Sequence, residues 1–477
     1  MKKYYFILTS IFLTGLLGCK KLTEAGLPVN DLISKAVFQS DETASSAITG
    51  IYARMMDDIN ATPLYISWYS ALAADEVNTT LTSGNFLQLY KNDQSAQTAL
   101  TNIFWNGGYN FIYRANAVIE GVNQSTAMTT TVRQQLLGEA YFIRAFWHFY
   151  MVNFYGDVPI ILTTDYEANA KAGRAATTDV YKQIILDLQE SKKLLTEKYV
   201  DGNSVSESPE RVRPNTYAAS ALLSRVYLYS GNVINAEIEA DRVISKTALY
   251  ELESIDRVFL KESKEAIWQL SRPLPAPEGT VESEYFIIRA TPGAGLTGST
   301  TISDALLERF AVNDLRRSSW IGTYTDNSIS PANDYHFPYK YKADGTSAEK
   351  EYSIVFRLAE QYLIRAEARA QQGKLDLAMD DIDVILVRAN QPKVRSVLPS
   401  ATKEDLLDII LNERGLEFFT EWGHRWLDLK RCGKIDGIMP DVSLGKGGVW
   451  ESYMKLWPIP QNDVDNSKNL IQNLGYN

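Results

Sequence analysis

From about residue 40 onward, apolar residues recur at intervals of three and four, the spacing that gathers them on one face of an α-helix. Ile48, Ile51, Tyr52 and Met55 make the first such stripe, with Asp41 or Thr43 as its expected cap. Further helices are expected over 102–120, over 130–154, and from Thr177-Thr178-Asp179 to about residue 197. Gly156-Asp157-Val158-Pro159 should stop the second of these sharply, because glycine leaves a helix easily and proline cannot continue it. The polar run 201–214 reads as a loop.

Two later segments share a pattern. A helix over 215–230 meets Gly231, followed by Ala236, Ala240 and Val243. A helix over 352–372 meets Gly373, followed by Ala378, Ile382 and Ile385 at the same offsets. Small residues so placed let antiparallel helices approach closely, as in tetratricopeptide pairs. The two lie far apart in sequence, so helical pairs scattered along the chain are expected rather than a tandem array. Irregular segments interrupt them at 81–98 and about 250–350, the second rich in Gly, Pro, Ser, Thr and aromatics. Long irregular segments inside a compact fold are usually where function sits. The predicted class is mostly α: a single-domain helical fold over 41–477, with tetratricopeptide-like helix pairs as scaffold and long irregular insertions.

The first residues change the picture of where the chain resides. Lys2 and Lys3 precede an apolar stretch from Tyr4 to Leu17, which suits a signal peptide better than a membrane span. It ends in Leu16-Leu17-Gly18-Cys19, the pattern of a lipoprotein-processing site. Residues 1–18 are therefore expected to be a leader, Cys19 the lipidated new N-terminus, and 19–40 an anchor and tether. With Cys19 acylated, Cys432 has no intrachain partner, and no disulfide is expected. The formal charge of −10 without basic clusters argues against nucleic-acid binding.

Catalytic chemistry finds little support. His148, His336 and His424 do not stand at metal-ligand spacing, and no metalloprotease, multi-cysteine, nucleophile-elbow or P-loop pattern occurs. Gly293, Gly295 and Gly298 match a dinucleotide-binding spacing, but no βαβ pattern surrounds them, so they read as a flexible loop. The most charged segment is 412–431. There Glu413, Glu417 and Glu421 recur every four residues on one expected helix face that Gly423 ends, with Arg414, Arg425 and Arg431 within reach. Neighbours on one face cannot readily flank a sugar as a glycosidase pair must, so a salt-bridge network is the expected role. His424 should be a hydrogen-bonded helix-end residue.

Four ordered segments make the chain resemble the SusD/RagB family of nutrient-binding lipoproteins. They are LLGEAYFIRAFWHFYMVNFYGDVPII (136–161), FRLAEQYLIRAEARAQQGKLDLAMDDIDVILVRAN (356–390), NERGLEFFTEWGHRWLDLKR (412–431) and LWPIPQNDVDNSKNLIQNLGYN (456–477). The resemblance implies a mostly helical, non-catalytic protein of the outer membrane, facing the cell exterior. Such proteins capture glycans, or sometimes peptides, for a SusC-like TonB-dependent transporter. It implies no cofactor or metal; whether calcium orders a loop stays open.

The shared motifs build the scaffold, so ligand contacts must be sought in the insertions by chemistry. Aromatic faces stack on sugar rings, and amides bind hydroxyls. The candidates are Asn85, Phe86 and Tyr90 in the first insertion, and Tyr285, Phe286, Trp320 and Tyr335 in the second. Trp105, Trp147, Trp422 and Trp426 fall in or beside helix patterns and read as core. Peptide capture, a surface glycosidase using Glu413, Glu417 and Glu421, and a purely structural helical scaffold are the competing readings.

Overall fold

The computed structural model describes residues 36–56, 64–97, 99–273, 279–293, 295–343, 347 and 349–476. Cys19, the expected leader and most of the tether lie outside these residues. The first helix, α1 (Asp41–Met55), buries Ile48, Ile51, Tyr52 and Met55, and its cap is Ser40 rather than Asp41 or Thr43. The Ser40 hydroxyl accepts from the Thr43 amide, which leaves Asp41 free to accept from the Thr129 amide and hydroxyl. A π-helical turn follows (Leu64–Tyr69), then strand β1 (Val77–Thr79). The long helices α2 (Ala99–Gln124) and α3 (Thr130–Tyr155) come next, and α3 ends at Gly156. Helix α4 spans Thr177–Leu194.

The expected helix pairs form. Helix α5 (Thr216–Tyr229) is capped by Asn215, whose carboxamide accepts from the Tyr217 and Ala218 amides, and α6 (Val233–Ile244) follows Gly231. In the second insertion come β2 (Ala266–Leu270), β3 (Thr300–Ile302), and a hairpin of β4 (Ile321–Asp326) and β5 (Asn333–Pro338). Beyond it, residues 353–357 are strand β6 (Ser353–Arg357), and α7 (Leu358–Gln371) starts only after them, later than expected. Strand β6 pairs antiparallel with β2, so its five residues are buried on both faces and follow neither helical nor alternating periodicity. Helix α8 (Leu375–Arg388) then folds back on α7. Gly231 and Gly373, at φ 78° and 76°, make equivalent turns that an L side chain would strain.

Although far apart in sequence, the two pairs are adjacent in space. Helices α2 to α8 stack in chain order, and α6 packs directly on α7. Ala236, Ala240, Val243, Ala378, Ile382 and Ile385 are all buried at these contacts. The second insertion thus loops out between two neighbouring helices and returns. Its strand β2 carries Trp268 into the main core, edge-on to Phe142 and Phe146 of α3 and tilted against Phe356. Among the described residues, no helix is long and apolar enough to cross a membrane.

Helix α9 (Lys403–Glu417) contains Glu413 and Glu417, but Glu421 is not on it. After Glu417 the chain turns through Thr420, Trp422 and Gly423, all at positive φ, and α10 (His424–Arg431) begins. Gly423 therefore opens a helix rather than ending one. The sequence-adjacent arginines take other partners: Arg414 pairs with Asp428, Arg425 with Asp75, and Arg431 with Glu367 and Asp428. The glutamates are instead neutralised from afar. Glu417 accepts from Arg316 at 2.9 Å, from Arg357 at 2.6 Å and from Arg388. Arg316 also binds Glu413 at 2.6 Å, and Lys340 and Arg357 bind Glu421. Burial pushes the Glu417 carboxyl up, but the guanidiniums of Arg388, Arg357 and Arg316 outweigh it and hold it well below the usual carboxylate range.

Removing a partner from a buried ionic cluster leaves charge without compensation, which costs about 3–5 kcal/mol. Glu417→Ala should lower unfolding stability by about that amount in urea titration, with little change in m-value. A loss below about 1 kcal/mol would mean that the cluster does not hold the insertion to the scaffold.

Candidate functional site

The irregular segments meet. Strand β1 pairs antiparallel with β3, Val77 opposite Ile302 and Thr79 opposite Thr300, so the chain that leads into the first insertion forms a small sheet with the second. The β4–β5 hairpin packs against β3 and extends that face. On one side of β1 the short helix Asn85–Tyr90 follows Gly84. The short helix Val281–Phe286, which packs against β3, is capped by the Thr280 hydroxyl. Between them stands Trp68 of the π-helical turn, 1% exposed. The Phe86 ring lies 4.9 Å from Trp68 and the Tyr285 ring 5.5 Å. Tyr69 packs edge-on against Phe86 at 5.6 Å. Phe86 and Tyr285 are half-buried, so each keeps part of its surface open above a buried indole.

The other candidates divide. Asn85 is half-buried at the start of its helix, beside Phe86. Tyr90 is committed on both counts: Lys446 sits 4.7 Å from its ring centre, and its hydroxyl donates to Asn78 at 2.9 Å. Phe286 is buried, edge-on to Trp68. Trp320 offers no open face. It is 1% exposed in a second core with Phe259 and Phe419, and its indole N–H donates to the Ile255 carbonyl at 2.8 Å. Burial rather than ligand contact thus explains Trp320 and Phe286, whose loop-like sequence surroundings hid the core they enter. Tyr335 is half-buried on β5, opposite Tyr324, with no ring contact to the Trp68 group among the described residues. Sequence reasoning passed over Trp68 and Tyr69. The signal available was three aromatics within residues 65–69, a density that a single helical stripe does not require.

Two buried carboxyls lie beneath this surface. Glu76 directly precedes β1 and accepts from the Thr420 amide; burial, then the Asp75 charge, raises it to about 8. Glu282, on the helix that carries Tyr285, accepts from the Ser353 hydroxyl at 2.7 Å, and burial raises it to about 7. The glycine-rich run lies between this helix and β3, not at a strand-to-helix turn, and the Gly298 amide donates to the Tyr285 carbonyl at 2.8 Å. His424 contacts the Arg414 guanidinium through Nδ1 at 3.2 Å, at the start of α10. Among the described residues no group of histidine, cysteine and carboxylate side chains could hold a metal ion.

Comparison with known proteins places the chain in a family. A family model described as "Starch-binding associating with outer membrane" matches residues 30–228, and one described as "SusD family" matches 307–476. The chain belongs to the SusD/RagB family. Its relatives include SusD-like protein P2 of Formosa agariphila, 28% identical over 99% of both chains. Among solved structures, a SusD homologue from Bacteroides thetaiotaomicron aligns with a TM-score of 0.77 at 20% identity, over 93% of this chain and 98% of its own. A laminarin-binding SusD-like protein aligns with a TM-score of 0.72 at 20% identity, over 91% and 99%. These structural likenesses establish the helical fold of this SusD-like chain, and the site must be argued from its own residues.

The buried carboxyls make a checkable difference. In the unfolded chain Glu76 and Glu282 ionise in the ordinary carboxyl range, whereas in the fold they hold their protons to about 8 and 7. The fold therefore binds more protons over that interval, and these groups cost stability as pH rises through it. Glu76→Gln and Glu282→Gln keep an acceptor and remove the proton. Relative to wild type, the double variant should gain stability steadily from pH 5 to pH 8, read from urea midpoints. The Glu76 charge also favours the Lys446 ammonium, which burial lowers to about 7, so removing Glu76 shifts that lysine further down and adds to the gain in the same direction; a flat difference would show that neither carboxyl is protonated in the fold.

Proposed function

We propose that this chain is a cell-surface glycan-binding lipoprotein. It captures oligo- or polysaccharide and delivers it to a SusC-like TonB-dependent transporter, without catalysing a reaction. The observation that carries the proposal is the pair of half-open rings, Phe86 and Tyr285, from two separate insertions, seated on buried Trp68. Sugar rings present C–H faces that stack on aromatic surface, and ring pairs on a common base grip adjacent sugar units without closing around them. Asn85 beside Phe86 supplies a carboxamide for hydroxyls, and Tyr335 on the neighbouring hairpin is a rim contact. The likeness to a starch-binding family and to a laminarin-binding protein supports the same class of ligand. In this reading residues 1–18 are removed, Cys19 is acylated, 19–40 serve as tether, and 41–477 act as one unit on the outer membrane.

Glu413, Glu417 and Glu421 are buried and matched by arginine and lysine, which leaves a glycosidase reading without accessible carboxylates in that cluster. Calorimetry of the purified full chain against starch, laminarin, other polysaccharides and oligopeptides tests the function. Saturable glycan binding is expected, with Phe86→Ala and Tyr285→Ala each weakening it about ten-fold, the equivalent of about 1.4 kcal/mol. Binding of peptides alone would replace the glycan reading. The anchor is tested separately: Cys19→Ser should move the protein from the membrane fraction to the soluble one. Retention of that variant in the membrane would overturn lipid attachment at Cys19.

A further inference from the structure

The helix that carries Phe86 is too small to hold itself. Asn85–Tyr90 has six residues, its N-cap is Gly84 with no side-chain cap, and only Leu89 on it is buried. A helix that short forms only where tertiary contacts fix it. Most of those contacts come from the stretch of chain just before it. Phe86 rests on Trp68 and Tyr69, the Tyr90 hydroxyl donates to Asn78 at 2.9 Å, and the Asn92 side-chain amide donates to the Ala73 carbonyl at 3.0 Å.

A further contact comes from the far end of the chain. Lys446 follows the helix Ile435–Gly445 and is 8% exposed. Its ammonium donates to the Leu72 carbonyl at 2.6 Å and to the Ala74 carbonyl, and it lies 4.7 Å from the centre of the Tyr90 ring. Those carbonyls stand at the end of the helical run Leu64–Ala73, which carries Trp68. Carbonyls at a helix C-terminus lack intrahelical donors, and a cation there also meets the negative end of the helix dipole. A desolvated aromatic face is a favourable further neighbour for the same ammonium. One group is thus bound both to the end of the Trp68 run and to the helix that carries Phe86.

The backbone beside Lys446 makes the same junction. The chain turns through Gly447 at φ 75°, and a Cβ at Gly448 would run into the Lys91 carbonyl oxygen. Glycine is what lets this turn come so close to Lys91, the residue after Tyr90. Lys446, Gly447 and Gly448 therefore bring an ammonium and a bare turn together onto the end of the Phe86 helix.

We propose that Lys446 is a positioning residue for the saccharide surface: it clamps the helix Asn85–Tyr90 to the end of the Trp68 run and so sets where the Phe86 ring lies on Trp68. Only the role of Phe86 as a stacking face is borrowed from the proposed function. Tyr90 belongs to this clamp and not to the ligand surface.

The test compares purified full chains at pH 5.5, where Lys446 holds its proton although burial lowers it to about 7. Lys446→Met keeps most of the side-chain length and removes the charge and the donors. Calorimetry with laminarin and starch should show binding about five-fold weaker in Lys446→Met, but less than about two-fold further loss when Phe86 is already alanine, because a residue that acts through Phe86 then has nothing left to position. Amide hydrogen exchange should be faster over residues 84–93 and unchanged over α7 and α8. Tyr90→Leu removes the ring and hydroxyl while leaving Lys446 on its carbonyls; it should reproduce both effects, and it decides the matter if Lys446→Met does not fold. Unchanged exchange over 84–93 in folded Lys446→Met, an equal loss of affinity with and without Phe86, or a Tyr90→Leu chain that binds weakly with that segment undisturbed would each overturn the proposal. Failure of the wild type to bind either glycan would count against the proposed function, whereas the exchange result would still decide whether Lys446 holds the helix.

Discussion

The structure hangs on the desolvated charge of Glu417. A carboxylate that is wholly out of water is tolerable only when cations and hydrogen bonds replace its hydration, and here the replacements come from three separate stretches of chain. Arg316 comes from the short helix before β4, Arg357 from β6, and Arg388 from the end of α8. Arg357 and Arg388 also share Glu265, just before β2. Omitting any one element would strand charge in a low-dielectric interior, so the cluster forms as a whole or not at all. That is how an insertion of about a hundred residues, with little regular structure, acquires one position on a helical stack.

The same constraint shapes the candidate site. Lys340 runs from the end of the β5 segment to Glu421 and the Glu417 carbonyl, and Thr420, in the turn between them, donates its amide to Glu76 below β1. The ionic cluster is thus continuous with the floor under the Trp68 group. A surface built this way is rigid before any ligand arrives. Rings that are already half-buried and packed on a fixed indole lose little rotamer freedom on binding, so more of the stacking energy is left for affinity. Asn85 and Tyr335 have no side-chain hydrogen bond among the described residues, so their side chains are less fixed than the rings.

How much of this the residues disclosed follows from the range of the interactions involved. Helices α1 to α6 were legible because their stripes are local; Gly156 and Gly231 mark the ends of α3 and α5, as Gly373 marks that of α7. Strand β6 was not: its burial comes from β2 on one side and the core on the other, so Ser353–Arg357 carries no periodicity and merges with the helix that follows. Glu421 looked like a third turn of one helix face because spacing by four is a local rule, while the turn at Thr420–Gly423 is imposed by partners far away in sequence. The stacking of α6 on α7 was likewise hidden by the residues between them. The site was legible as a region and not as a set of side chains. Phe86 and Tyr285 keep part of their rings open, whereas Trp320 stands in an equally polar stretch and is core. Composition around an aromatic cannot say which side of the backbone faces the solvent.

Position along the π-helical turn gives the last step. Tyr65, Trp68 and Tyr69 point to different neighbours because a π turn advances its side chains differently from an α turn, and such turns cluster at functional sites. Trp68 supports the rings from the insertions, Tyr69 touches Phe86, and Tyr65 packs on Tyr69. Ring faces accept almost any sugar, since every pyranose has a C–H face, so stacking alone gives affinity with little discrimination. Discrimination requires groups that are costly to leave unpaired when the wrong ligand binds. On the proposed reading, the stacked rings of Phe86 and Tyr285 would supply affinity and polar neighbours such as Asn85 would supply choice, so the two tasks fall to different residues of the same chain.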